Sequence, residues 1–333
     1  MSQPEISVVI AAYNAEQTLG AQLDALARQD FAGEWEVLVC DNGSTDGTVD
    51  VVRERQATQP NLRLVDASAR RGPGAARNAG VRVARAPRLA FCDADDLVEP
   101  GWLAALHRAL DRAPAVTGRA RRAEFNSRPD NPVYFSWGLY RVPFFPYLDG
   151  AGAGNFAVRT EAFRRIGGFD EALRTGEDLD LTWRLQLAGF RLVEEPAAVV
   201  TVSNRAGLGS TITQTFAYGV GDKRLVHKYA LVAEAFRTGD LVLPEPSQHA
   251  QPTEDPADRP EPPRESTARR VLRKLRTTRR LSDLTNVTRK AATWLGFRFG
   301  RIDRSAPQLR PPAALSFDAV GQAEGETDAG AER

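Results

Sequence analysis

The sequence predicts an α/β protein: a mainly parallel sheet flanked by helices, followed by a largely separate C-terminal tail. Three observations carry this. Apolar runs of strand length at residues 6–12, 35–40 and 89–92 are continuous rather than alternating, as expected of strands covered on both faces. Between them lie stretches with apolar residues at helical spacing, beginning with Leu19, Leu23 and Leu26. From residue 244 the composition turns to Pro, Glu, Asp, Gln and Ser, which bury too little apolar surface to build a core.

Taken in order, the first strand (6–12) ends at Tyr13-Asn14, and the helix carrying Leu19, Leu23 and Leu26 follows. The second strand (35–40) delivers Asp41-Asn42-Gly43-Ser44-Thr45-Asp46-Gly47, a loop dense in turn formers. Ser44 or Thr45 is expected to cap the helix carrying Val49, Val51 and Val52. A third strand is expected at 62–65. Gly72-Pro73-Gly74 then leads into a helix over 75–84, with Arg77 and Asn78 on its first turns. The fourth strand ends in Asp93-Ala94-Asp95-Asp96. Strands and helices alternating in this way imply right-handed crossovers. Ligand-binding loops in such sheets lie beyond the carboxyl ends of the strands, so Tyr13, Asp41, Arg77 and the acids are expected along one rim.

The second half is less regular. A helix carrying Leu103, Leu106 and Leu110 leads to a strand near Val116, and residues 119–149 mix arginines with the aromatics Tyr134, Phe135, Trp137, Tyr140, Phe144, Phe145 and Tyr147, for most of which packing is the expected role. A strand at 152–158 and a short helix stopped by Gly167-Gly168 precede Gly176-Glu177-Asp178, which opens a helix with Leu181, Leu185 and Ala188 on its buried face. Residues 210–232 read as a further helix, in which Lys223, Arg224 or His227 is available to a diphosphate. The domains expected are 1–240 as one folded unit, 241–263 as a Pro- and acid-rich linker, 264–304 as a basic amphipathic helical segment and 305–333 as a disordered tail.

Bulk properties exclude several classes. At 333 residues and 42% hydrophobic content the chain can bury a sizeable core. A net charge of +1 gives no general attraction to nucleic acid, and no recognition module surrounds the local basic block, so nucleic acid is disfavoured as a partner. Cys40 and Cys92 stand alone at strand ends, reading as core residues; three histidines without paired spacing argue against structural zinc. A basic-then-apolar leader and an apolar run of about 18 residues are both lacking, which makes the cytoplasm the expected location.

Three carboxylates within four residues at a strand end raise one another's pKa unless a cation compensates. A hard divalent ion, Mn²⁺ or Mg²⁺, with a phosphate-bearing ligand is the simplest compensation. The plainer reading is an acidic turn capping the helix that starts near Pro100. Glu177-Asp178 likewise reads either as a helix cap or as a carboxylate that removes a proton.

These motifs resemble those of family 2 glycosyltransferases. Val8-Val9-Ile10-Ala11-Ala12-Tyr13-Asn14, Asp41-Asn42-Gly43-Ser44-Thr45-Asp46-Gly47-Thr48, Asp93-Ala94-Asp95-Asp96 and Glu177-Asp178 carry the resemblance, over about residues 5 to 230. Gly74-Ala75-Ala76-Arg77-Asn78-Ala79-Gly80 and Ile166-Gly167-Gly168-Phe169-Asp170-Glu171 add to it. It implies the A-type glycosyltransferase fold and metal-dependent, inverting transfer of a sugar from a nucleoside diphosphate donor, a UDP-sugar by preference. The acceptor is expected to be a hydroxyl on a glycan or lipid-linked acceptor, in cell-envelope glycan or polysaccharide synthesis. By the same resemblance Ala11, Tyr13 and Asp41 frame the base, Arg77 lies along the nucleotide, Asp93 serves ribose or metal, Asp95 serves the metal, and Asp178 beside Glu177 is the catalytic base. Asn42 departs from the pattern, since many members carry aspartate there.

Residues 264–304 interleave arginines with Leu272, Leu275, Leu281, Leu284, Trp294, Phe297 and Phe299. Such an element suits peripheral contact with anionic lipid at the inner face of the cell membrane, or a solvated basic helix. A non-catalytic nucleotide-sugar binding or scaffold protein at the membrane is the reading from another class. A dehydrogenase is poorly supported, because Gly72-x-Gly74 lacks a third glycine and does not follow the first strand.

Overall fold

The computed structural model describes residues 3–122, 138–202, 208–244 and 281–317. Its strands are β1 (Ile6–Ala12), β2 (Trp35–Asp41), β3 (Leu62–Asp66), β4 (Arg88–Asp93), β5 (Leu97–Val98), β6 (Ala115–Arg122), β7 (Tyr140–Val142), β8 (Phe145–Gly150), β9 (Asn155–Arg159) and β10 (Leu192–Val202). Eight of them form one sheet in the order β3-β2-β1-β4-β9-β6-β10-β5, with β7-β8 a separate hairpin. The first four strands are parallel, as the crossovers require; β9 then runs antiparallel between β4 and β6, and β10 is parallel to β6. The sheet is therefore mostly parallel, with β9 reversed at its centre and the short β5 reversed at its edge.

Side chains alternate between the two faces of β1, and a different helical layer covers each face. Ile6, Val8 and Ile10 pack with Leu19, Leu23 and Leu26 of α1 (Leu19–Ala27), Val52 of α2 (Thr48–Gln56) and Trp102, Leu103, Leu106 and Leu110 of α4 (Trp102–Arg112). Val9 joins Leu38, Phe91 and Phe156 under Ala76 and Ala79 of α3 (Pro73–Val83), Phe163 of α5 (Thr160–Arg165) and Leu181 and Leu185 of α6 (Glu177–Leu187). Two-sided burial explains why these strands read as largely apolar runs, broken only by the buried pair Ser7 and Glu36 in β1 and β2. Cys40 and Cys92 are buried free thiols in this core.

A third cluster joins Phe145, Leu148, Trp183, Leu225, Tyr229 and Val232, from the hairpin, α6, α7 (Leu208–Lys228) and α8 (Ala230–Thr238). It confirms packing as the role of Phe144, Phe145 and Tyr147; Tyr134, Phe135 and Trp137 lie outside the described residues. Tyr229 separates α7 from α8 and donates to Asp180 Oδ1 at 2.9 Å, while Lys228 Nζ reaches Asp170 at 2.7 Å and Asp180 at 2.5 Å. This charged knot fixes α7 to the start of α6.

The C-terminal segment differs from expectation. Helix α9 (Leu281–Phe299) lies directly on α7: a Cβ on Gly219 would collide with Thr293 O, and one on Gly296 with Phe216 O, so glycine is what permits the approach. Lys223 Nζ donates to Gly300 O at 2.8 Å, His227 Nε2 lies 3.1 Å from Ala306 O, and Leu309 N donates to Lys228 O at 2.7 Å. Leu309 and Leu315 pack on the third cluster. Residues 305–317 therefore do not form the separate, disordered tail expected of them: too short to build a core of their own, they pack Leu309 and Leu315 on the domain's. Lys223, Arg224 and His227 are likewise spent on such ties, Arg224 on Ala172 O, rather than offered to a diphosphate. The linker and the first part of the basic segment, residues 245–280, lie outside the described residues.

Candidate active site

Strand register builds the rim. Ala12 pairs with Asp41 and Ala11 with Asp93, while Asp41 pairs with Asp66, so Ala11 and Ala12 lie between Asp93 and Asp41 at the ends of three neighbouring strands. Tyr13 follows directly; its ring is exposed, with the Arg71 guanidinium 5.0 Å from the ring centre. Asp41 accepts from the amides of Gly43 and Ser44, which folds the next loop back over it. Asn14, at φ 49, locks that loop to β1 by accepting from Thr45 N at 2.8 Å, while its own amide donates to Ser44 Oγ. Ser44 and Thr45 are thus committed to the loop and cap nothing; α2 begins at Thr48, with Gly47 as its N-cap.

Asn42 has a structural duty that aspartate could not perform. It is buried, its Nδ2 donates to Ala67 O and Arg70 O at 2.6 and 2.8 Å, and its Oδ1 accepts from Gly72 N at 2.8 Å. The amide ties the β2 edge to the start of α3. Asn42→Asp removes both donors and sets a carboxylate against two carbonyls. The expected cost is about 1–3 kcal/mol of stability, read as a lower midpoint in urea unfolding; an unchanged midpoint would count against this role.

The acidic turn after β4 is held from α1. Gln22 is fully buried, donates Nε2 to Asp93 O at 3.1 Å and accepts from Val98 N at 3.0 Å. Asp93 and Asp95 keep part of their surface open, whereas Asp96 is buried. None of them caps α4, whose N-cap is Gly101 in the left-handed region without a side-chain cap. Gln22 escaped the sequence reading; its signal was a polar residue inside the apolar stripe of Leu19, Leu23 and Leu26.

Arg77 joins the two acidic motifs. From the first turns of α3 its Nη2 donates to Asp93 Oδ1 at 2.7 Å and its Nη1 to Glu177 Oε1 at 3.1 Å. The side chain is buried over the Phe169 ring and its Nε has no partner. Rather than lying open along a nucleotide, it bridges Asp93 to Glu177, 100 residues from itself in sequence. Gly74 makes the bridge possible, since a Cβ there would sit 3.1 Å from Phe169 Cβ and 3.4 Å from Glu177 Cγ. Asn78 completes the joint, bonding Phe169 through both its carbonyl and its amide, and Glu171.

Glu177 and Asp178 open α6 after Gly176, which adopts φ 77. Burial, then the neighbouring Asp178, push Glu177 up to about 7, with Arg77 pulling against both. Burial likewise raises Asp178, although the Leu179 amide and Arg77 favour its charged form. A carboxylate held above the ordinary range, at a helix N-terminus that still favours its anion, is suited to taking a proton. Glu177, the neighbour of Asp178, lies across Arg77 from Asp93.

The hard oxygens of Asp93 and Asp95 fit Mg²⁺ or Mn²⁺. Among the described residues no group of three or more His, Cys, Asp or Glu gathers to hold an ion, and Asp93 Oδ1 already meets Arg77. The donor set fits an ion completed by ligand oxygens and water.

The sequence model described as "Glycosyl transferase family 2" matches residues 7–170, and the succinoglycan biosynthesis protein ExoO of Rhizobium meliloti is 30% identical over 250 residues, 68% of this chain and 70% of that protein. The chain belongs to glycosyltransferase family 2. Another member, the pre-mycofactocin glycosyltransferase of Mycobacterium tuberculosis, is 35% identical over 159 residues, 45% of this chain; the match spans only about a third (34%) of that relative. A mannosyltransferase of Pyrobaculum calidifontis, solved with GDP-Man and Mn²⁺, superposes with a TM-score of 0.58 at 21% identity, covering 90% of this chain and 88% of the other. The fold of this family 2 chain is accordingly the A-type glycosyltransferase fold.

Proposed function

We propose that the protein is a metal-dependent, inverting glycosyltransferase that moves a sugar from a nucleoside diphosphate donor, a UDP-sugar in the first instance, to a hydroxyl of a glycan or lipid-linked acceptor. The observation that carries this is the Arg77 bridge, which joins the acids ending β4 to the acids opening α6 in one site. Ala11, Tyr13 and Asp41 line the rim where a base is held, and Asp178 takes the proton of the attacking hydroxyl. Asp93 and Asp95 would hold the divalent ion, which when bound stabilises charge on the leaving diphosphate. The named role of the succinoglycan relative supports a place in polysaccharide or cell-envelope glycan synthesis. Thermal unfolding with UDP-glucose, UDP-N-acetylglucosamine, UDP-galactose and GDP-mannose, each with Mn²⁺, tests the reading. Binding to the folded state by one of them at a hundredfold excess over its Kd stabilises by about 2.7 kcal/mol. No shift with any donor, together with no donor turnover, would reject it.

Peripheral contact with the inner face of the cell membrane is supported by α9, which leaves Trp294, Leu295, Phe297 and Phe299 exposed beside Ile212 and Phe216 of α7. Lys290, Arg298, Arg301 and Arg304 are exposed around them. No described helix is long and apolar enough to cross a membrane. Co-sedimentation with phosphatidylglycerol vesicles is expected, with the bound fraction falling when Trp294 and Phe299 are both changed to Ser; wild-type protein left in the supernatant would refute it.

A further inference from the structure

Helix α7 is seated on the loop that precedes the catalytic acids. Thr175 Oγ1 donates to Ala217 O at 2.9 Å, a Cβ on Gly221 would collide with Thr175, and one on Gly176 would lie 2.9 Å from Leu225 Cδ1. Residues 217, 221 and 225, four apart, are thus the stripe of α7 in contact with the loop. The neighbouring stripe, one position on, is Tyr218 and Asp222, preceded by Gln214, whose Nε2 donates to Tyr218 Oη at 2.9 Å.

That second stripe adjoins the one packed on Thr175 and Gly176, directly ahead of Glu177 and Asp178. The charge of Asp178 acts on Asp222, and Tyr140, at the start of β7, is under the influence of Asp178, Asp222, Tyr218 and Glu177 together. Tyr218 is exposed, and Tyr140 and Asp222 are partly so. Asp222 has no hydrogen-bond or ion-pair partner among the described residues, although burial, then Asp178, push it up to about 6. It is also the only acid between residues 208 and 228. A partly exposed carboxylate that feels the charge of the proposed base and has no partner among the described residues lacks a structural reason and is available to accept from a ligand hydroxyl.

We propose that Asp222, Tyr218 and Tyr140 form the acceptor subsite, and that it takes a sugar ring: one hydroxyl is presented to Asp178, the adjacent hydroxyl donates to Asp222, and the apolar face of the ring lies against Tyr218. The assignment rests on the transferase reading above. Two carboxylates from different elements suit two neighbouring hydroxyls, because each ionised acid only accepts hydrogen bonds and each hydroxyl has one proton to give. An isolated alcohol on a lipid chain offers no second donor, so the chemistry favours a carbohydrate acceptor with a vicinal diol.

The test is saturation-transfer NMR on the full chain with UDP and diamagnetic Mg²⁺ present, using methyl β-D-glucopyranoside, methyl β-D-galactopyranoside and methyl α-D-mannopyranoside as probes. At least one is expected to receive saturation from the wild-type protein. Its Kd should rise about tenfold or more in Asp222→Asn, and its signal should vanish in Tyr218→Ala. UDP binding and the melting temperature of the isosteric Asp222→Asn variant should stay unchanged. Binding of none of the three by the wild type, equal binding by Asp222→Asn, or loss of UDP binding in that variant would each overturn the assignment. If transfer and donor hydrolysis were absent while the pyranoside bound as described, the transferase reading would fail and the sugar subsite would stand.

Discussion

Asp178→Asn is expected to lower sugar transfer by roughly 10²- to 10⁴-fold with donor binding intact. The amide keeps the shape of the carboxylate and its hydrogen bond from the Leu179 amide, 2.8 Å in the native protein, so α6 retains its start. It cannot take a proton, so the attacking hydroxyl loses its base. Donor affinity is expected to rest on the proposed rim of Ala11, Tyr13, Asp41 and Asp93, whose register involves no atom of Asp178. The pH dependence follows from the raised pKa. The active form is the anion, so transfer is lost as pH falls through the Asp178 pKa, and burial places that acid limb above the ordinary carboxylate range. The variant should retain only a low, flat rate across the limb. Turnover and pH profile equal to wild type would remove Asp178 from the mechanism.

Arg77→Met should cost about 3–5 kcal/mol of folding stability, the range for removing one partner of a buried ion pair. Asp93 would lose a 2.7 Å partner and Glu177 a 3.1 Å partner in one step, and Glu177 sits where only a tenth of its side chain meets solvent. The loss should appear as a lower urea midpoint with an unchanged slope. Arg77→Lys should recover little, since one compact ammonium cannot reproduce a planar fork that reaches two acids on different elements. The remaining native protein should bind donor weakly, because Asp93 is no longer held at the end of β4. A midpoint within experimental error of wild type would show that the bridge contributes nothing to the fold.

Much of the site was visible before the structure. The runs at 6–12, 35–40 and 89–92 announced strands because two-sided burial tolerates few polar residues, and the two that interrupt them, Ser7 and Glu36, are buried and bonded to each other; the acids after residue 92 announced a cation or donor because like charges do not crowd without one. Neither Gln22 nor Asn42 was visible in this way. Each works by meeting backbone groups of a segment far along the chain, and a single amide in a sequence carries no mark of the carbonyl it will face.

What the sequence determined by itself was the alternation of strands and helices, the edge to which the motifs are delivered and the chemical type of the groups there, since all three follow from local periodicity and residue chemistry. Tertiary structure alone decided that Arg77 is spent between Asp93 and Glu177, that Asp222 stands near Asp178, and that residues 305–317 return to the domain. Those outcomes depend on packing distances of a few ångströms between segments remote in sequence. Gly74, Gly219 and Gly221 set those distances by omitting a side chain, and an omission has no period to read.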